Sequence, residues 1–234
     1  MACSKPSVVS TKETTNYARL CRLLIEVGSE ALREIFDKIH RPGSLHTALM
    51  NHKATLQSLR SRNILNPIQW GVLYPAIPSS VSAKNFDITL LVILLRNMCG
   101  LSPPATGWDA YPPEADNSCQ ADIVRLRHFR NTIYGHAERA SVDDKTFKDH
   151  WRDIRDVLLR LGGACFGVAI TQLETECMDP CIEEHFKDLL EQWRKDENNI
   201  KDQLLEIQRE VRNFSKILDD LRETVSSKGE DNDQ

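Results

Sequence analysis

Arg125-Leu126-Arg127-His128-Phe129-Arg130-Asn131-Thr132-Ile133-Tyr134-Gly135-His136 is the stretch on which the reading of this chain turns. At 100° per residue, Leu126, Phe129 and Ile133 share one apolar stripe of a helix expected from Asp122 to about Ala137. Arg130 then lies about 70° to one side of that stripe and His136 about 50° to the other. The two flank a buried face rather than stacking on each other. They converge only if Gly135 distorts the last turn, or if a second copy is brought against the first. An Arg-Asn pair means nothing alone: Arg96-Asn97 also sits in helical sequence, yet Leu101-Ser102-Pro103 follows, with no histidine in range.

Upstream, Ile88 to Leu95 is apolar except for Thr89, and a helix over about Asn85 to Cys99 is apolar almost all round. Such a helix belongs in the middle of a bundle. Tyr17, Leu20, Leu24, Val27, Ala31, Ile35 and Ile39 recur at helical spacing after Thr14 and Thr15 as caps, and Arg41-Pro42-Gly43 stops the run. A more polar helix is expected over Ser44 to Arg62, with a connection from Asn66-Pro67 through Trp70, Leu73 and Tyr74 to Pro75 and Pro78. Leu101 to Ser118 holds four prolines, Gly107, Trp108 and Tyr111. It reads as a long loop, either a crossover pinned by its aromatics or a functional segment. Downstream, Ser141 and Asp144 are spaced for a capping box that opens a helix through Phe147, Trp151, Ile154, Leu158 and Leu161 to Gly162-Gly163.

The last quarter differs in kind. Phe186, Leu190 and Trp193, then Ile200, Leu204, Ile207, Val211, Phe214, Leu218, Leu221 and Val225, alternate four and three apart, with only Glu197 interrupting. That is a coiled-coil seam, although an amphipathic helix folded back on the bundle satisfies the same pattern. The chain has 234 residues and a net charge of −4, which argues against a generic nucleic-acid coat. The charge is uneven. Residues 182–234 hold 15 acidic and 9 basic side chains, so the first 181 carry a net +2. Seven scattered cysteines and no apolar leader point to reduced thiols and a cytoplasmic protein. Eight apolar residues cannot span a bilayer, so no membrane association is expected.

Arg130, five intervening residues beginning with the polar Asn131, then His136 resembles the signature of the HEPN superfamily. The longer wording is more specific. Phe86-Asp87-Ile88-Thr89-Leu90-Leu91, Leu95-Arg96-Asn97-Met98-Cys99-Gly100-Leu101, Asp122-Ile123-Val124-Arg125-Leu126-Arg127 and Arg130 to His136 look like the HEPN subfamily named after the DAZ-interacting RING-finger ubiquitin ligase. The resemblance covers about residues 17–173. It implies pairing of HEPN domains, and in some members metal-independent RNA cleavage at a composite site. There His136 takes part in proton transfer at the attacking 2′-hydroxyl and the leaving group, Arg130 stabilises the phosphate, and Asn131 orients them. Other members serve as non-catalytic association or RNA-binding modules. Arg125, Arg127 and Arg139 either offer phosphate contacts or form a solvated helix face.

Cys177, Cys181 and His185 are four apart, but three ligands fall short of a zinc set and Pro180 interrupts their helix, so no metal is expected. There is no P-loop, no dinucleotide fingerprint and no array capable of forming a RING, and no cofactor is expected. The expectation is therefore an all-α chain. Residues 1–15 form a flexible start, 16–175 a HEPN-like antiparallel bundle, 182–226 a long coiled-coil helix and 227–234 a disordered tail. Its partners are a second copy, RNA and a protein recruited through the coiled coil, in a ubiquitin-ligase or innate-immune-type assembly. The alternative is an endoribonuclease using Arg130, Asn131 and His136.

Overall fold

The computed structural model describes residues 11–135, 140–176, 178, 185 and 188. Among them the secondary structure is helical, with no strand. The helices are α1 (Lys12–Arg22), α2 (Ser29–Ile39), α3 (Leu45–Asn51), α4 (Lys53–Ser61), α5 (Pro67–Leu73), α6 (Ile88–Met98), α7 (Cys119–Gly135), α8 (Asp144–Gly162) and α9 (Cys165–Thr175). They form an all-α bundle. The chain divides into two units, Met1–Gln192 and Trp193–Gln234, and the second lies outside the described residues, as does the expected seam from Ile200 to Val225.

Helix α6 is buried over most of its surface, for the reason its composition gives. Ile88, Leu90, Leu91, Val92, Leu94, Leu95 and Met98 are all buried, and the helix packs against both α2 and α7. Asp87 starts it by accepting the amide of Leu90 at 2.6 Å, and His40 Nε2 reaches the Met98 carbonyl at 3.2 Å at its end. The expected start at Asn85 moves to Ile88 because Ala83–Asn85 forms a separate 3-10 turn. Helix α8 buries Phe147, Trp151, Ile154, Val157, Leu158 and Leu161 against α7, α1 and α2.

Four local readings are corrected. Residues 17–39 do not form one α-helix, since Leu23–Gly28 widens into a π-helical segment between α1 and α2. Thr11, not Thr14 or Thr15, caps α1, with Thr14 completing a capping box. The helix over 44–62 breaks at His52 into α3 and α4. Asn66-Pro67 begins α5 rather than a connection: Asn66 accepts the Gln69 amide at 2.7 Å, Gln69 returns the bond, and a proline at the first helical position lacks only a donor that would be unused there.

The start of α8 also differs. Asp143, not Ser141, is its cap, accepting from the amides of Lys145 and Thr146 at 3.0 Å each. The turn before it is tied to α1, where buried Asn16 donates to the Val142 carbonyl and to Asp144 Oδ1. Gly163, at φ 79°, ends α8 as expected, and the chain then turns straight into α9. The end of α9 is held by Arg19, which donates to the Glu176 carbonyl, and Arg22, which pairs with the Glu176 carboxylate at 2.7 Å.

Candidate functional site

The first turn of α7 is fixed from inside the protein. Asp122 is fully buried and its carboxylate is shared by two arginines. Arg125 meets Oδ1 at 2.7 Å from one turn away, and Arg160, near the end of α8, meets Oδ2 at 2.7 Å and Oδ1 at 2.8 Å. The pairing raises the Arg160 pKa above its ordinary value. The other arm of Arg125 donates to the Pro113 carbonyl at 2.6 Å. Three pieces of chain, α7, α8 and the long loop, are thereby joined at one carboxylate. This moves Arg125 from the surface to the interior: it is 5% exposed, and its guanidinium is committed to Asp122 and Pro113 instead of facing a phosphate.

One turn and two turns further along α7, the long loop lies over the helix. Pro104 and Pro112 are buried, which anchors the loop at two points. Between them Asp109 accepts from Arg96 at 3.0 and 3.3 Å and from Arg127 at 3.1 Å, while Arg127 also donates to the Trp108 carbonyl at 3.2 Å. Hydrogen bonds from Arg96, then Arg127, hold the Asp109 carboxyl below the usual carboxylate range. Tyr111 stands edge-on to His128, ring centres 4.8 Å apart. Arg96, uninformative as half of an Arg-Asn pair, is thus one of the two cations that hold Asp109 of the loop.

The loop and α7 enclose a polar cleft of about 60 Å³ lined by Trp108, Asp109, Tyr111, Val124, Arg127, His128 and Asn131. Asn131 is exposed and accepts a hydrogen bond from Arg130 Nη1 at 3.0 Å. Arg130 itself is only 9% exposed. The structure therefore brings together Arg127, Arg130 and Asn131 of the sequence-derived set and places Arg125 behind them in the core. His136 and Arg139 lie outside the described residues. The sequence reading missed His128, Tyr111 and Asp109. The aromatic content of the loop was the available signal, but nothing local says that Tyr111 meets His128, seventeen residues away.

A larger groove of about 400 Å³ lies elsewhere, between the π-helical segment and α9, with Val27, Phe166 and Leu173 among its lining and Glu26, Glu30, Glu176 and Arg22 around it. It contains none of the motif residues. Among the described residues no group of three or more His, Cys, Asp or Glu is arranged to hold a metal ion, and His185 is exposed while Cys177 and Cys181 lie outside the described set. No helix among the described residues is long and apolar enough to cross a membrane.

Comparison with known proteins agrees with the wording of the motif. The family profile of DZIP3/hRUL138-like HEPN domains matches residues 42–186. The chain is 32% identical over 149 residues to the human E3 ubiquitin-protein ligase DZIP3, covering 62% of this chain and 12% of that protein. It is 32% identical over 163 residues to the mouse protein of the same name, covering 68% of this chain and 14% of that one. The chain thus spans only a small part of the curated relatives that it matches. No solved structure matches it.

Proposed function

The chain belongs to the DZIP3/hRUL138-like HEPN family, and from that premise we propose that it is a cytoplasmic association and RNA-binding module. It pairs through the helical domain and the heptad segment, and it holds single-stranded RNA at the cleft where the long loop crosses α7. The observation that supports this reading is the shared lining of that cleft by Asn131, Arg127, His128 and Tyr111. Tyr111 is 49% exposed and His128 is exposed beside it, so a base has a ring pair to lie against. Base–aromatic stacking is worth about 1–3 kcal/mol per base. At about 60 Å³ the cleft is too small to swallow a nucleotide, so the contact is a base resting on the Tyr111–His128 edge.

Binding is favoured over cleavage by the state of Arg130. A guanidinium 9% exposed and turned to Asn131 is held by the protein and not presented to a phosphate. The second reading, a metal-independent endoribonuclease, draws its support from that same Arg130–Asn131 hydrogen bond, which is how a polar residue directly after the arginine would orient it. In that reading His136 moves the proton of the attacking 2′-hydroxyl and Arg130 carries the phosphate charge. The relatives are named E3 ubiquitin-protein ligases; as a module of such an assembly, these residues bring RNA or a protein to the ligase.

Titrating a fluorescent single-stranded RNA with the full chain tests the proposal. Tyr111→Ala and His128→Ala should each weaken binding about tenfold, the loss of one stacked base. Failure of the unaltered chain to bind RNA at low salt overturns the RNA reading. RNA fragments with cyclic-phosphate ends, formed in chelator by the unaltered chain and lost in Arg130→Ala and His136→Ala, would favour the enzyme.

A further inference from the structure

From Arg41 to Phe86 the sequence contains no aspartate or glutamate. With 34 acidic residues in 234, an even spread would put about seven in that stretch. The same stretch holds Arg41, Lys53, Arg60, Arg62 and Lys84, and it folds into α3, α4 and α5. Elsewhere in the bundle six arginines, Arg22, Arg33, Arg96, Arg125, Arg127 and Arg160, pair with carboxylates. Lys53, Arg60 and Arg62 pair with none among the described residues.

What holds two of these cations is aromatic. Lys53 and Arg60 are two helical turns apart on one side of α4, and Trp70 and Tyr74 are one turn apart at α5. The Arg60 guanidinium sits 4.8 Å from the Trp70 ring centre and Lys53 Nζ 5.6 Å from that of Tyr74. The two rings are 4.5 Å apart, and the Tyr74 hydroxyl donates to the Leu49 carbonyl at 2.9 Å, which fixes the rings to α3. A carboxylate would position these cations and neutralise them. A ring positions a cation and leaves its full charge on offer. Arg60 and Arg62 are exposed, while Trp70 and Tyr74 are half-buried, so the outward layer is the guanidinium plane.

We propose that the α4–α5 face is a second RNA-contact surface, on which Lys53, Arg60 and Arg62 meet phosphates of a single strand and the ring-backed Arg60 plane takes a base. The ligand class fits because a single strand offers both a repeated negative charge and free π faces, and this face offers a partner for each. The inference rests on the RNA reading above for its ligand, but on residues outside the Arg130 cleft.

The test is an anisotropy titration of the full chain with a labelled uridine 20-mer at several salt concentrations. The variants are Lys53→Gln/Arg60→Gln/Arg62→Gln, Arg60→Lys alone, and Tyr111→Ala for the cleft. Each phosphate contact on a single strand contributes about 0.7 to the slope of log K against log salt. The triple variant, with unchanged far-ultraviolet circular dichroism, should bind at least about tenfold more weakly at 50 mM salt, and its slope should be shallower by about two units. Arg60→Lys should keep the slope and lose affinity. If the unaltered chain binds RNA and the triple variant binds it equally, this surface is refuted while the cleft survives. If the unaltered chain binds no RNA, the functional reading and the inference fall together. Binding of a poly-glutamate 20-mer as tight as that of RNA would overturn the inference in favour of an acidic protein partner.

Discussion

Replacing Asp122 by alanine removes one side chain and strands the buried charge of Arg125. Arg125, 5% exposed, loses the carboxylate it is ion-paired with, and Arg160, which is exposed, loses its hydrogen bonds to Asp122. Breaking a buried ion pair from one side costs about 3–5 kcal/mol, because the remaining charge stays desolvated. Against a typical total of about 5–15 kcal/mol, that is a large share of the domain's stability. In urea, with a slope of about 2 kcal/mol per molar, the midpoint should fall by roughly 1.5–2.5 M. Circular dichroism at increasing urea measures it. Asp122→Ala combined with Arg125→Leu and Arg160→Gln removes the stranded Arg125 charge as well, so it should recover part of the loss. A midpoint shift below about 0.5 M in Asp122→Ala, or a triple variant less stable than the single one, would refute the assignment of this carboxylate as the joint between α7, α8 and the loop.

Asp109→Ala should free the loop while costing less than about 1 kcal/mol, since the bridge to Arg96 and Arg127 is exposed; hydrogen exchange over 101–118 should accelerate with little change in melting. In the unaltered chain the depressed Asp109 pKa means that the latch contributes fully above the ordinary carboxylate value of about 3.9 and is lost as pH falls through its lower folded value. The protection factor of the loop amides, exchange corrected for its intrinsic pH dependence, should therefore be flat from pH 7 to 5 and fall only below about pH 4. Gly162→Ala would drive a methyl into the Phe166 ring, so a loss of about 1–3 kcal/mol is expected in thermal unfolding. Leu204→Asn with Val211→Asn should convert a self-associated chain to a monomer in sedimentation; a chain that is monomeric before substitution would remove the association reading.

The parts of the fold legible in the sequence were those decided by local periodicity. Ile88 to Met98 is buried on all but the stripe of Thr89, Ile93, Arg96 and Asn97, and Phe147 to Leu161 packs as its spacing implies. Proline misleads where its position in a helix matters: Asn66-Pro67 suggests the beginning of a connection, yet Pro67 starts α5. The π-helical widening at Leu23–Gly28 preserves an apolar face and leaves no trace in a 3.6-residue pattern. The site was legible only in part, for a reason of range. A charge on α7 looks the same in sequence whether it faces water or a carboxylate. Arg125 is decided by Asp122 together with Arg160, thirty-eight residues beyond that aspartate, and Arg127 by Asp109 in a loop read mainly for its prolines. The cationic face of α4 and α5 was written plainly as an absence of acids, but the whole-chain charge averages it away.

The most direct test of the central claim is ultraviolet crosslinking of the full chain to a single-stranded RNA, with crosslinked peptides identified by mass spectrometry. Adducts are expected on the loop and helix that frame the cleft, at Tyr111 or His128, and should be lost when both are replaced by alanine. RNA that crosslinks only to residues outside 104–135, or that does not crosslink at all under conditions where the chain is folded, would contradict that claim.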